Sequence, residues 1–456
     1  MTMSDVQTRR TNQLAKMYFG RIGRFANCCF LVCLFAFGMG CGLSSDAAVG
    51  IEPQSSARQS VVDQAQQDPT HGKIQPSDQV EAQMGQGSKP TLADAADANR
   101  GEVDRLLFQK TSKAGVDFLL NKGQADDGSF SKQLSPAVTA LCTSALIEHR
   151  VPVSDPRVQK ALKFLESHVQ ADGGIYPKGS NLRNYETSVS LMCFNRANVG
   201  GKYDETIEKA IGFLKGIQWD EGEGHTLDST FYGGQGYGSH SRPDASNTSY
   251  FIDALKSVSE DPESDSFRKA ATFMARCQNL STPHNTAEWA TKVTAADKGG
   301  FIYTAVGEGE SKPGKTPEGG LRSYASMTYA GLKSFLYAGV SKDDIRVQAA
   351  MDWIGRNYDL TVNPGMGQQG LFYYYHVFAK ALDATGKDSV IDASGAAHNW
   401  RADLTGQLSN VQRDDGSWTN PADRWYEGDP NLVTAYALLA LSYCDESPQG
   451  KAAESK

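Results

Sequence analysis

Two kinds of helical pattern alternate along the chain from about Lys110 to Cys444. In the first, apolar residues recur every three to four positions and leave one polar face, as in VQKALKFLESHV from Val158 and YDETIEKAIGFLKGI from Tyr203. Such a helix lays a stripe on a core and keeps its other side in water. In the second, apolar and small residues run almost all round: VTALCTSAL from Val138, ETSVSLMCF from Glu186, NTSYFIDAL from Asn247, YASMTYAGL from Tyr324, YYHVFAKAL from Tyr374 and VTAYALLAL from Val433. Each of these carries a marker residue seven positions before a closing apolar one: Thr139 and Leu146, Thr187 and Phe194, Thr248 and Leu255, Ala325 and Leu332, Tyr375 and Leu382, Thr434 and Leu441. Helices without a polar face are buried. The pattern predicts an all-α fold, with an outer ring of amphipathic helices around an inner ring of apolar ones.

A turn recurs between the two helix types. An aromatic–aliphatic pair leads to Gln, then to an acidic-glycine step and an aromatic. Examples are Phe118-Leu119, Gln124 and Asp127-Gly128-Ser129-Phe130, then Phe164-Leu165, Gln170 and Asp172-Gly173-Gly174-Ile175-Tyr176. Phe213-Leu214 leads to Gln218-Trp219-Asp220, and Leu408 and Gln412 lead to Asp414-Asp415-Gly416-Ser417-Trp418. Two copies are displaced: Phe273-Met274 and Gln278 end at Gly299-Gly300-Phe301, and Trp353-Ile354 and Tyr358 end at Gly370-Leu371-Phe372. In such a turn Gln satisfies backbone groups at a helix end, Asp-Gly reverses the chain, and the aromatic fills the seam between repeats. The segment resembles the QW motif of squalene cyclases, and the chain resembles the terpenoid cyclase and protein prenyltransferase superfamily. The resemblance implies an α6/α6 toroid of six helix pairs. An open solenoid would need capping repeats with polar outer faces, and none is visible.

The N-terminus reads as an address. A basic stretch ends at Arg24, an apolar run follows from Cys28 to Phe37, and small residues lead to Cys41. The run is short for a membrane span and suits a signal-peptide core. Gly38-Met39-Gly40-Cys41 resembles a bacterial lipobox, with Gly38 where Leu is usual, which implies lipidation of Cys41 and export to the cell envelope. Residues 1–40 are thus expected to be a signal peptide and 41–100 a disordered Gln- and Ser-rich tether, whose composition buries too little to offset its ordering entropy. A short helix near Leu92 to Leu107, a toroid over 101–445 and a flexible tail over 446–456 complete the expected organisation.

Charge and cysteines narrow the chemistry. The chain carries a formal charge of −8, and its first forty residues are basic, so the body is more acidic still. Without a basic stripe, nucleic acid is not an expected partner. Cys142, Cys193, Cys277 and Cys444 show neither C-x-x-C spacing nor a histidine at ligand spacing, which reads as buried free thiols. No metal and no cofactor are expected.

Each connection from an outer to an inner helix is long, and each connection back is shorter. Long loops on a rigid scaffold carry function, and the inner helices all start at that end, where their dipoles favour anions or other electron-rich groups. The candidate ligand-binding residues at this mouth are Tyr185, Glu186, Asn247, Arg322, Tyr324, Tyr374, Tyr375, Trp425 and Glu427, and the candidate catalytic groups are Asp244, Asp429 and His376. The competing reading is that Asp244, Asn247 and Asp429 are helix caps and that the tyrosines pack between repeats.

The resemblance brings catalytic signatures that this chain lacks. Squalene-type cyclases protonate an alkene with an Asp-x-Asp-Asp acid, whereas the nearest text here is Arg242-Pro243-Asp244-Ala245-Ser246. Prenyltransferases bind zinc through an Asp-x-Cys pair and a later His, where this chain reads Arg322-Ser323-Tyr324-Ala325-Ser326 and Asn431-Leu432-Val433-Thr434. Two functions remain open. One is an envelope toroid, held by a lipid anchor, that binds an apolar, glycan or peptide ligand at the mouth. The alternative is a terpenoid cyclase-like or polysaccharide lyase- or glycosidase-like enzyme that uses mouth carboxylates. A plugged centre would remove the support for both enzyme readings.

Overall fold

The computed structural model describes residues 92–238 and 241–445. The expected signal peptide, Cys41, most of the tether and the tail from residue 446 lie outside the described residues. The described residues fall within one compact unit, Gln86–Lys456.

The first element, α1, runs Leu92–Phe118 and ends in a π-helical turn, Leu119–Gly123. The short helix expected near Leu92 and the first outer helix are therefore continuous, and the expected boundary at residue 100 falls inside α1. Then follow α2 (Pro136–Glu148), α3 (Pro156–Glu166), α4 (Arg183–Arg196), α5 (Asp204–Lys215), α6 (Ala245–Ser257), α7 (Asp265–Arg276) and the single turn α8 (Glu288–Thr291). The chain continues through α9 (Ala325–Tyr337), α10 (Ile345–Arg356), α11 (Leu371–Thr385), α12 (Trp400–Asn410) and α13 (Pro430–Leu441). Strands β1 (Ser389–Ile391) and β2 (Ala397–Asn399) form a small antiparallel hairpin between α11 and α12, with Val390 opposite His398. The helical periodicity does not signal it.

Among the described residues the apolar helices close a ring: α2 packs on α4, α4 on α6, α6 on α9, α9 on α11, α11 on α13, and α13 back on α2. The amphipathic helices lie outside: α3 on α2, α5 on α4, α7 on α6, α10 on α9 and α12 on α11, while α1 packs against α12 and α13. Local sequence sets the starts. Ser135 accepts from the Ala137 N–H ahead of Pro136, Asp155 from the Arg157 N–H ahead of Pro156, and Asp344 from the Arg346 N–H. Each satisfies a backbone donor that a helix start leaves open.

The seams repeat the same contacts. Gln124 Nε2 donates to the Gly128 carbonyl (3.0 Å) and to the Arg157 carbonyl in the first turn of α3 (2.8 Å). Gln218 links Gly233 to Ser266, Gln278 links Gly299 to Arg346, and Gln412 links Gly416 to Thr111, which brings the last turn onto α1. Gln170 differs, donating within its own turn to the carbonyls of His168 and Tyr176. In each turn glycine is required by contact as well as by φ. Gly416 has φ 88°, and a Cβ there would overlap the Ala114 carbonyl. The inner helix answers with a threonine: the N–H groups of Phe130, Ile175, Gln235 and Trp418 donate to the hydroxyls of Thr139, Thr187, Thr248 and Thr434.

Two expected registers are corrected. In the fourth pair the hydroxyl that receives the Phe301 N–H is Thr328, not a group at Ala325, at 3.0 Å. Ala325 instead begins the helix. In the fifth, Gly370 is the residue before α11, so Leu371 and Phe372 belong to the inner helix and form no plug. Tyr358 stands there in place of Gln and donates to Asp403 at 2.9 Å.

Candidate functional site

The centre of the ring is closed by tyrosines. Tyr185 comes from α4, Tyr250 from α6, Tyr373 from α11 and Tyr436 from α13. The Tyr250 and Tyr436 hydroxyls are 3.4 Å apart although α6 and α13 stand on opposite sides of the ring, and Tyr185 reaches Tyr436 at 3.5 Å. Tyr185 and Tyr250 meet edge to face with centroids 4.9 Å apart, a favoured aromatic geometry. Tyr373 completes the layer, with Tyr436 at 6.0 Å and its hydroxyl 3.1 Å from Ser246 Oγ. Burial pushes Tyr185 up to about 12 and Tyr250 and Tyr436 well above the ordinary tyrosine value, so the layer is neutral at any ordinary pH.

A charged layer lies further along the inner helices. Asp253 of α6 accepts from Lys333 of α9 at 2.5 Å and from Lys380 of α11 at 2.7 Å, and all three side chains are buried. Two ammonium groups share one carboxylate. Burial alone would raise the Asp253 pKa, but the two lysines outweigh it and hold the carboxyl below its usual range. Lys333 is lowered as well, to about 8, because the loss of hydration together with the charge of Lys380 exceeds its share of Asp253. The C-terminal halves of the inner helices surround this layer, and their dipoles favour the surplus positive charge. The void beneath the tyrosines measures about 20 Å³ and is lined in part by Leu141, Val189, Met192, His376 and Leu439, room for little more than one water.

The carboxylates expected at the mouth are present there, each engaged by the protein. Asp244 begins α6, accepting from the Asn247 N–H and the Asn247 Nδ2, both at 2.8 Å. Burial raises its carboxyl to about 6. Asp429 begins α13, accepting from the Leu432 N–H at 3.0 Å and from Ser131. Glu186 accepts from Ser135 at 2.9 Å and Ser180 at 2.6 Å, and burial raises it. Glu427 accepts from the N–H groups of Phe372 and Tyr373 at the start of α11 and from Asn420, with burial raising it too.

The other candidates divide. Tyr185 and Asn247 sit at the mouth; the Asn247 carbonyl receives Asn184 Nδ2 at 3.2 Å, and its own Oδ1 has no partner. Tyr324 immediately precedes α9 and is buried. His376 is one turn below the mouth, stacked on Tyr436 at 5.7 Å, and is held neutral by burial and by Lys380. Tyr374 and Tyr375 are not at the mouth: their hydroxyls donate to the carbonyls of Asp359 and Leu360, filling the seam toward the preceding loop. Arg322 is exposed on a loop whose backbone bonds Gly314 and Ser311. Trp425 is exposed at the rim.

Sequence reading missed Tyr250, Tyr436, Asp253, Lys333 and Lys380. A signal was available: charged residues inside helices that are apolar all round must be paired, and the helical patterns contained them. A larger groove of about 800 Å³ lies at the opposite end of the ring, against Phe108, Val116, His149 and Arg401. It contains none of the candidate residues, and Arg401 there is paired with Asp383 and Asp388. The mouth is the better candidate because the long loops and the partly exposed tyrosines meet there. Among the described residues no group of His, Cys, Asp and Glu is placed to hold a metal ion, and no helix is long and apolar enough to cross a membrane. The four described cysteines are free and buried.

Residues 117–301 match the family model of the squalene-hopene cyclase C-terminal domain. The match runs from the end of α1 to Phe301, and so spans the first four turns. Among solved structures, the chain is similar to the type II terpene cyclase MstE from Scytonema. For a point variant of that cyclase in complex with its substrate, geranylgeranyl dihydroxybenzoate, the identity is 12%, the TM-score 0.46, and the coverage 75% of this chain and 99% of that one. For the apo form the identity is 14%, the TM-score 0.42, and the coverage 74% and 97%. A D-mannose isomerase gives 11% identity, a TM-score of 0.48, and coverage of 75% and 97%. No curated protein matches the chain. The family match is consistent with a toroid of the terpenoid cyclase and prenyltransferase superfamily.

Proposed function

We propose that this squalene-cyclase-like toroid, read as six helix pairs in an α6/α6 ring, is a binding module of the cell envelope. It takes an apolar, glycan or peptide ligand at the end where its inner helices start, and it is tethered through lipidated Cys41. The observation that carries the reading is the closed bore: hydroxyls from opposing helices stand 3.4 Å apart, and about 20 Å³ remains beneath them. A cyclase acting in the bore needs a chamber that accommodates a folded isoprenoid chain, and pockets for small molecules run to hundreds of Å³. The acids of the mouth are occupied as helix caps and inter-loop braces, which leaves them poorly aimed as proton donors. One observation favours the enzymatic alternative: Asp244 is raised to about 6, a value suited to acid–base work.

The test is to incubate the purified chain with squalene, geranylgeranyl diphosphate and polygalacturonate. The expected result is no product from any of them. Product lost in Asp244→Asn or Asp429→Asn would replace the binding reading with the enzymatic one. Metabolic labelling with palmitate tests the anchor: label should enter the native chain and be absent from Cys41→Ala.

A further inference from the structure

The void beneath the tyrosines has walls that carry charge of one sign. Lys380 and Arg196 line it, together with His376 and the hydroxyl-bearing Ser144 and Tyr443, and no acidic side chain does. Lys380 follows His376 by four residues on α11, so the two share one face of that helix. Both are buried, His376 at 5% exposure and Lys380 at 6%. Of the three donors on its ammonium group, Lys380 gives one to Asp253 at 2.7 Å. His376 Nδ1 is buried without a partner, and a buried polar atom of that kind costs free energy until something pairs with it.

The charges around the void do not balance. Lys333 and Lys380 share the single carboxylate of Asp253, and Arg196, at the edge, is paired with Glu148. Lys333, Lys380 and Arg196 against Asp253 and Glu148 leave one positive charge over. His376 reports the resulting field. Besides burial, the charges of Lys380, Lys333 and Arg196 push it toward the neutral form, against the opposing charge of Asp253. The C-terminal ends of the inner helices offset part of the surplus, but a helix dipole acts weakly beside the cost of a buried ion that lacks a partner. Size sets the second condition. About 20 Å³ admits a body little larger than one water, which excludes carboxylates and phosphates. A water fits but brings no charge. A monatomic anion meets both conditions, being compact, singly negative and able to accept hydrogen bonds from an ammonium, an imidazole N–H and hydroxyls at once.

We propose that this void is a binding site for one chloride-sized monovalent anion, held by Lys380 and His376 between the tyrosine layer and the Lys–Asp–Lys group. The site is separate from the ligand reading at the mouth and does not depend on it. Its test follows thermal unfolding of the full chain in sodium chloride and in sodium gluconate at equal ionic strength and pH, gluconate being too bulky for the void. The unfolding midpoint should rise by about 3–5 °C over a roughly hundred-fold increase in chloride above its dissociation constant, and gluconate should leave it unchanged. Lys380→Met removes the surplus charge and leaves Asp253 paired with Lys333, so this variant should fold and lose the chloride dependence. Native crystals soaked in bromide should show an anomalous peak in the void beside Lys380, a readout that stands even if the variant fails to fold. Equal midpoints in the two salts, with no bromide in the void, overturn the proposal and leave water as the occupant. Undiminished chloride dependence in Lys380→Met, or bromide bound only at the surface, places the anion elsewhere and overturns it as well.

Discussion

The seams between repeats and the centre of the ring are built on opposite principles. Four of the six seams use the same few atoms: a Gln amide bridging to the next outer helix, a left-handed glycine under a backbone carbonyl, and an inner-helix threonine receiving the N–H at the end of the turn. The centre repeats nothing. Four helices supply tyrosines and three supply the Lys–Asp–Lys group. The seam is under the same geometric demand at every step, so its solution recurs in sequence. The centre has to be closed once, and any set of side chains that fills it and pairs its charges serves.

Breaking the centre should cost most. Asp253→Asn leaves Lys333 and Lys380 buried without a carboxylate, so denaturant unfolding should show a loss of about 3–5 kcal/mol. At the seam, Gly416→Ala adds a Cβ against the Ala114 carbonyl at a positive φ, with a loss of about 3 kcal/mol expected in the same measurement.

The mouth supplies a pH signature. Burial raises Asp244 from 3.8 to about 6, so between those values the folded state holds a proton that the unfolded chain has released. The stability from this group is full below the unfolded value and is lost as pH rises through about 6, by about 2–3 kcal/mol. Asp244→Asn keeps a good cap and should flatten that part of the stability profile; an unchanged slope would mean that Asp244 is hydrated. Smallest of all, Gln412→Ala frees the Thr111 and Gly416 carbonyls, an expected loss of about 1–2 kcal/mol. Equal costs for Gln412→Ala and Gln170→Ala would erase the distinction between a bridge to the next helix and a turn-internal bond.

The same contrast explains what the sequence makes legible. Helix type, the alternation of inner and outer helices, and most of the turns can be read because they recur with helical period and fixed spacing. Register fails where the repeat is irregular. Ala325 satisfies the marker spacing, seven positions before an apolar residue, but the hydroxyl at Thr328 is what binds the plug. Gly370-Leu371-Phe372 imitates a turn while forming the start of an inner helix. At the mouth, the cap reading of Asp244 and Asp429 follows from residue type and position, whereas Asn247 is no cap but the donor, through its N–H and its side-chain amide, to Asp244. The meeting of Tyr250 and Tyr436 does not, because it depends on the diameter of the ring, which no local pattern encodes. Proximity to a helix start points to Tyr374 and Tyr375 as mouth residues, yet their direction around the helix sends them into the seam.

The closed bore is tested most directly by following phenolate absorbance as the native chain is titrated with alkali, against Tyr250→Phe and Tyr436→Phe. With both hydroxyls buried and their pKa values well above the ordinary 10, the difference signal from these two tyrosines should appear only together with unfolding. Reversible ionisation of either near pH 10 in the folded chain would mean a water-filled bore and would contradict the account.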